Sequence, residues 1–236
     1  MNEFQRTALL LGEDNILKLN NKTVAIFGVG GVGGYVCEAL ARSGIGHFVI
    51  VDNDNVSITN INRQIIALHN TIGRAKVDVM KERILEINPN AEVIAIKEFI
   101  LPNNSSSFDF KNYDYVVDCV DTVTAKIEIV IKSIEGSTKV ISSMGAGNKL
   151  NPQAFKVADI YKTSVDPLAR VLRYELRKRG VKKLKVVYST EQPLKIDDSN
   201  IDEDKGLRRT LPGSNAWVPA SAGLLIASEV IKDLIE

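Results

Sequence analysis

Glycines, two acids, an arginine and a lysine are spaced along residues 28–121 in an order that suits phosphate chemistry. Gly28, Gly30 and Gly33 stand in G-x-G-x-x-G spacing inside GVGGVGG, with Gly31 between them. The first allows a tight turn. The second lets a phosphate approach the backbone, and the third lets a helix pack on a strand. A helix start at that point offers unpaired N–H groups and a positive dipole end to an anion. Alone, the pattern says mononucleotide or dinucleotide and nothing finer. Asp52 then closes a second apolar run, where an acid meets a ribose hydroxyl. A nicotinamide dehydrogenase shares everything up to here. It has no use for the next polar set, Asn60, Arg63 and Gln64 in NINRQ and then Lys76. Arginine offers a planar fork to phosphate oxygens and lysine a point charge. The pair suits a long phosphate chain that must be clamped. Asp121 comes after the apolar run YVVDCV, at the carboxyl end of an expected parallel strand beside the ligand crevice. A carboxylate there suits Mg²⁺, which takes one or two carboxylates plus phosphates. Asp118 reads as an acid that caps or orders the same loop.

These residues need a doubly wound scaffold, and the pattern supplies one. Residues 24–27 form a buried strand, the glycine turn comes next, and Val36, Cys37, Ala39, Leu40 and Ala41 mark a helix. Residues 47–51 are the second strand. Residues 73–88 have helical apolar spacing, with Lys76 in the first turn and Pro89 as the stop. Residues 92–99 read as a third strand, 103–107 as a loop and 115–120 as a buried strand. Residues 122–134 read as a helix and 139–144 as a strand closing in the flexible turn GAGN. Two short helices, 3–12 and 13–19, precede the first strand, with Arg6 exposed. From residue 151 the pattern changes. QAFKVADIY alternates as an antiparallel strand would. A helix at 167–179 and the strand LKVVYS come after it. The expected fold is α/β, a Rossmann-like mostly parallel sheet with an antiparallel C-terminal extension. One domain spans 1–236, with a nucleotide-binding half at 1–145 and a substrate-binding half at 146–236.

In the ordered set GxGGxGG, VDxDxVxxxNxNRQ, GxxK and DCxD, the chain resembles the ubiquitin-activating-enzyme-like adenylating family of the ThiF, MoeB and HesA group. Within it, the resemblance is strongest to the branch that dehydrates threonylcarbamoyladenosine in tRNA. It runs from QRTALLLG at residue 5 to the C-terminal helix. It implies ATP and Mg²⁺ as cofactors, Gly28 to Gly33, Asp52, Asn60 and Gln64 around the nucleotide, and Arg63 and Lys76 on its phosphates. It also implies an Arg6 that reaches a phosphate, often across a homodimer interface. The reaction implied is adenylation of the threonyl carboxylate, then ring closure with loss of AMP. A sulfur-transfer or cysteine-desulfurase partner is compatible with that family.

Composition bounds the partners. The chain has 236 residues, is 44% hydrophobic and carries a formal net charge of +1, so global charge names no partner. Charge is nevertheless concentrated. Between residues 162 and 185, Lys162, Arg170, Arg173, Arg177, Lys178, Arg179, Lys182, Lys183 and Lys185 face only Asp166 and Glu175. Such a strip in a near-neutral protein suits tRNA. Its helical run, Arg170 to Lys183, is the expected nucleic-acid surface. Residues 191–204 are the reverse, acid-rich with few apolar groups, and read as a mobile loop. Ala220, Ala222 and Gly223 allow the last helix close approach to the sheet or to a second subunit. Cys37 and Cys119 lie in apolar runs and read as buried thiols of a reducing compartment. No secretory leader opens the chain and no apolar run spans a bilayer, so a cytoplasmic location is expected. No CxxC pair exists for a structural zinc, and His47 and His69 are isolated. That argues against the second reading, adenylation of the C-terminus of a small ubiquitin-like sulfur carrier. A non-catalytic nucleotide sensor would not need the full set of polar residues.

Overall fold

The computed structural model describes residues 2–197 and 212–236. Seven strands form a single sheet: β1 (Thr23–Phe27), β2 (His47–Val51), β3 (Glu92–Ile96), β4 (Tyr115–Asp118), β5 (Lys139–Ser143), β6 (Phe155–Asp159) and β7 (Lys185–Ser189). Their order is β3-β2-β1-β4-β5-β7-β6, all parallel except the antiparallel β6–β7 pair. The fold is thus the α/β sheet that the sequence pattern describes, antiparallel extension included. β1 reads TVAIF because a central parallel strand is buried on both faces. Phe27 pairs with Val51 on one side and Asp118 on the other. The chain therefore leaves β1, β2 and β4 at one edge, and Gly28, Asp52 and Cys119 emerge side by side.

Helices cover both faces. α3 (Gly33–Arg42), α4 (Lys76–Ile87) and α7 (Trp217–Ile235) share one core with Val24, Ile26, Phe48 and Ile50. On the other face, α5 (Val123–Glu135) and α6 (Pro167–Lys178) meet through Ile127, Val130, Leu172 and Leu176. On that face near α5, Phe27 stacks on Phe110 and meets Phe108 edge to face. Two short N-terminal helices, α1 (Gln5–Leu11) and α2 (Glu13–Asn20), are separated by Gly12 at φ +89°.

Several boundaries differ from the sequence pattern for local reasons. Residues 73–75 stay out of α4. Gly73 has φ +86°, and Arg74 and Ala75 bridge back to Asn55 and Val56. The third strand stops at Ile96, where pairing with β2 ends. The serines at 105–107 form a single 3₁₀ turn rather than an open loop. Glu191 is not loose: its carboxylate accepts the N–H groups of Leu150 and Asn151 at 3.0 and 2.9 Å. The remainder of the expected acidic loop, from residue 198, lies outside the described residues.

The close approach permitted by the small residues of α7 is to α3. A Cβ on Gly223 would lie 2.5 Å from the Val32 carbonyl oxygen and 2.9 Å from Tyr35 Cβ. At its far end α7 is fastened to the sheet by Asp233, which accepts from Tyr115 Oη at 2.6 Å and from Lys185 at 2.8 Å. Overpacking a helix contact typically costs about 1–3 kcal/mol. Gly223→Ala should lower unfolding free energy by that amount, read as a shifted urea midpoint with an unchanged m-value.

Candidate active site

The side-by-side strand exits make the floor of a crevice of about 1160 Å³. Gly28 adopts φ +88°, and a Cβ there would meet the Cys119 carbonyl at 2.8 Å. A Cβ on Gly33 would fall 1.8 Å from the Gly28 oxygen, so α3 can start this close to β1 only without a side chain. Among the described residues, the backbone N–H groups of Gly30, Gly31 and Val32 donate to no protein acceptor. They lie just before and at the start of α3, where an anion is favoured. Asp52 pins the turn: its carboxylate accepts from Val29 N at 2.7 Å and from Asp54 N at 2.9 Å. A carboxylate has about four lone-pair sites, so both oxygens can still accept ribose hydroxyls. Burial pushes the Asp52 carboxyl above the usual aspartate value, against the opposing pull of Lys76 and the two N–H groups.

The clamp residues sit on the same wall. Lys76 is buried, and its ammonium reaches Asp54 at 2.7 Å. Arg63 donates to the Thr59 carbonyl and to Asn62 Oδ1, each at 2.8 Å. Asn60 accepts from Ser57 N at 3.1 Å and so shapes the turn that presents Arg63. Gln64 is buried against Gly30, and its Oε1 has no protein partner. That orphaned acceptor fits a nucleotide lying over the glycine turn. Asp121 stands exposed at the rim, next to the Thr122 hydroxyl at 3.4 Å. Of the residues singled out in the sequence, Gly28, Gly30, Gly31, Asp52, Asn60, Arg63, Gln64, Lys76 and Asp121 line this one crevice. Gly33 supports it from below. Arg6 does not line it. That residue is exposed on α1, beside the solvent-facing Leu9 and Leu10.

The fold and this site define a class: a doubly wound nucleotide-binding protein with an arginine and a lysine beyond the acid that ends its second strand. The chain belongs to the ThiF family, whose profile matches residues 4–236. A tRNA threonylcarbamoyladenosine dehydratase of Bacillus subtilis is 44% identical over the whole chain and 96% of its own length. The Escherichia coli protein of that name is 38% identical, matching 74% of this chain and 65% of its own length in sequence. Its crystal structure in complex with ATP superposes with a TM-score of 0.89 at 33% identity, covering 99% of this chain and 93% of that one. The complex of the same protein with AMP gives 0.89 at 34% identity, covering 99% and 94%.

The basic strip is less uniform than its sequence suggests. Lys185 lies in β7 and pairs with Glu229 and Asp233, so it belongs to the α7 anchor. Arg173 donates to the Thr163 carbonyl at 3.1 Å. Arg177 lies over the Tyr161 ring, 5.2 Å from its centroid. Lys178 and Arg179 both pair with Glu175. Among the described residues, Lys162, Arg170, Lys182 and Lys183 are exposed and have no acidic partner.

Three site features escaped the sequence reading. Cys119 lines the crevice, although burial, aided by Asp118, holds its thiol well above the ordinary range and leaves it a poor nucleophile. Asp118 does order the loop, accepting from Val120 N at 3.2 Å. Its main partner, however, is Lys126, fully buried at 2.9 Å, whose ammonium also reaches Ser142 and the Ser143 carbonyl. The available signal was a lysine on the apolar stripe of α5. Lys149 and Asp166 form a second buried pair on the opposite wall, at 3.5 Å. Removing one partner of a buried pair strands a charge and costs about 3–5 kcal/mol. Lys126→Met should lose that much in urea denaturation. Adding Asp118→Asn to it should recover most of the loss.

Proposed function

We propose that this protein is an ATP-dependent adenylating enzyme that dehydrates threonylcarbamoyladenosine in tRNA. The observation that carries the reading is the start of α6. Asp166, Pro167 and Leu168 form part of the crevice wall, and the helix leads from there to Arg170, Arg177 and the basic turn beyond. A surface for a polyanion thus begins inside the nucleotide crevice. Two relatives with that named activity, and the ATP-bound structure of one, support the same reading.

The chain's residues divide the work. The N–H groups of Gly30 to Val32 and the Arg63 and Lys76 side chains hold the triphosphate, and Asp52 holds the ribose. The substrate carboxylate forms a bond to the α-phosphorus while the bond to the bridging oxygen of pyrophosphate breaks. A nucleophile of the same side chain then attacks the activated carbonyl carbon, the ring closes and AMP leaves with the departing oxygen. Positioning and charge stabilisation supply this catalysis. Mg²⁺ would be held by Asp121 and the phosphates, where it offsets developing charge. The donor set fits an ion that takes most ligands from phosphate and water. Among the described residues no group of three acidic, histidine or cysteine side chains could hold a metal. Burial makes the Cys119 thiol a poor nucleophile, which supports attack from within the substrate rather than a thioester stage. A homodimer would let Arg6 of a second copy complete the clamp, with Leu9, Leu10 and Leu17 as apolar contact. Two unpaired cysteines suit a cytoplasmic setting, and no helix among the described residues is long and apolar enough to cross a membrane.

Pyrophosphate release should require tRNA carrying threonylcarbamoyladenosine. Release triggered instead by a carrier peptide ending in Gly-Gly would replace this reading with the sulfur-carrier one. Binding of that tRNA should fall steeply with salt, each phosphate contact adding a log–log slope of about −0.7 to −0.9. Replacing Arg170, Lys182 and Lys183 with Ala should flatten the slope by roughly 2–3 units and leave ATP affinity unchanged. Equal slopes for wild type and variant would make the strip a solvated face only.

A further inference from the structure

Lys149 is the third cation of the crevice lining among the described residues, after Arg63 and Lys76, and the proposed nucleotide clamp does not use it. It stands on the wall opposite the clamp. The residue is 3% exposed, and its ammonium donates to the Gly145 carbonyl at 2.6 Å and to Asp166 Oδ2 at 3.5 Å. An ammonium has three donors, and these contacts use two. Asp166 is itself engaged. Its Oδ1 accepts from Ala169 N at 2.9 Å and caps α6. The long contact to Oδ2 therefore leaves the lysine under-compensated. Burying such a group costs several kcal/mol, which an apolar side chain would avoid. The loop that Lys149 braces adds to the same field. Among the described residues, the backbone N–H groups of Gly145, Ala146 and Gly147 donate to no protein acceptor, and all three residues line the crevice.

Adenylation brings two anions together: a triphosphate and an attacking carboxylate. The clamp side neutralises the first. In a crevice of reduced dielectric, the second is repelled unless a cation of its own meets it.

We propose that Lys149 binds the carboxylate of the acid to be adenylated and that Asp166 and Gly145 fix its ammonium for that task. Lys149 and the Gly145–Gly147 loop then form the acyl side of the site, and the glycine turn forms the nucleotide side. This assignment rests on the adenylation reading.

The test is pyrophosphate release with threonylcarbamoyl-modified tRNA. Lys149→Met should lower kcat/KM by about 100-fold or more, in line with the loss of a charge that stabilises the transition state. Its affinity for ATP and for tRNA that lacks the threonylcarbamoyl group should not change. Lys149→Arg should restore most of the activity. Asp166→Asn keeps a side-chain oxygen for the Ala169 cap and should fold, but with its ammonium less well fixed it should lose about tenfold. Free threonylcarbamoyladenosine should inhibit the wild type about tenfold or more better than its methyl ester, and the two should inhibit Lys149→Met equally. Wild-type activity in Lys149→Met would overturn the assignment. So would equal losses in the Met and Arg variants with a lowered melting temperature, or a wild type that does not discriminate acid from ester. These outcomes leave the adenylation reading standing. That reading falls, and this one with it, only if the wild type releases no pyrophosphate with modified tRNA.

Discussion

The contact on which the rest of the molecule depends is the one between Gly33 and the Gly28 carbonyl. There is no room at Gly33 for even a methyl group. Because nothing projects, the chain reverses from β1 into α3 within five residues, and unpaired N–H groups collect at the carboxyl edge of the sheet. Asp52 then holds Val29 from the neighbouring strand. A second close approach, Gly223 on Val32, brings α7 against the same turn from above. The turn is therefore held from three sides before any ligand arrives. Its donors need little reorganisation on binding, which is the condition for strong electrostatic catalysis.

Residues of opposite sign stand in pairs along and beneath the crevice. Lys76 faces Asp54, Lys126 faces Asp118, and Lys149 faces Asp166. These three are not equivalent. Asp54 is largely solvent-exposed, so water screens that pair. Lys126 and Asp118 are wholly buried and saturated with hydrogen bonds, which makes them a fixed part of the floor. Lys149 lies between these extremes, enclosed but incompletely paired. A burial gradient thus runs through one chemical motif, from a screened pair to a saturated one.

Much of the nucleotide half was legible in the sequence. Glycine spacing, an acid at the end of a strand and a periodic apolar helix are local signals, and each has one structural meaning. The antiparallel β6–β7 pair was legible too, from alternation in QAFKVADIY. What could not be read was set by distant contacts. Lys126 looked like any helix cation, because its partners on β4 and β5 come together only in the folded sheet. GAGN looked like a flexible turn, since Asp166 and Asn215 brace it through the next residue, Lys149, from far along the chain. Contacts within the basic strip were hidden for the same reason. Lys185 and Arg173 answer to α7 and Thr163, which charge counting along the chain does not see.

The placement of α6 has a further consequence. A helix is a rod of fixed rise, about 1.5 Å per residue. The twelve residues of α6 therefore set about 18 Å between the crevice wall at Pro167 and the cationic end at Lys178. Under the tRNA reading proposed above, an RNA gripped by its backbone at the outer end would offer the crevice only a nucleotide at that reach. Selection by such a gauge depends on the bend of a loop and the projection of a base rather than on letters of sequence. Under that reading the helix would work as a ruler whose zero mark lies in the crevice wall.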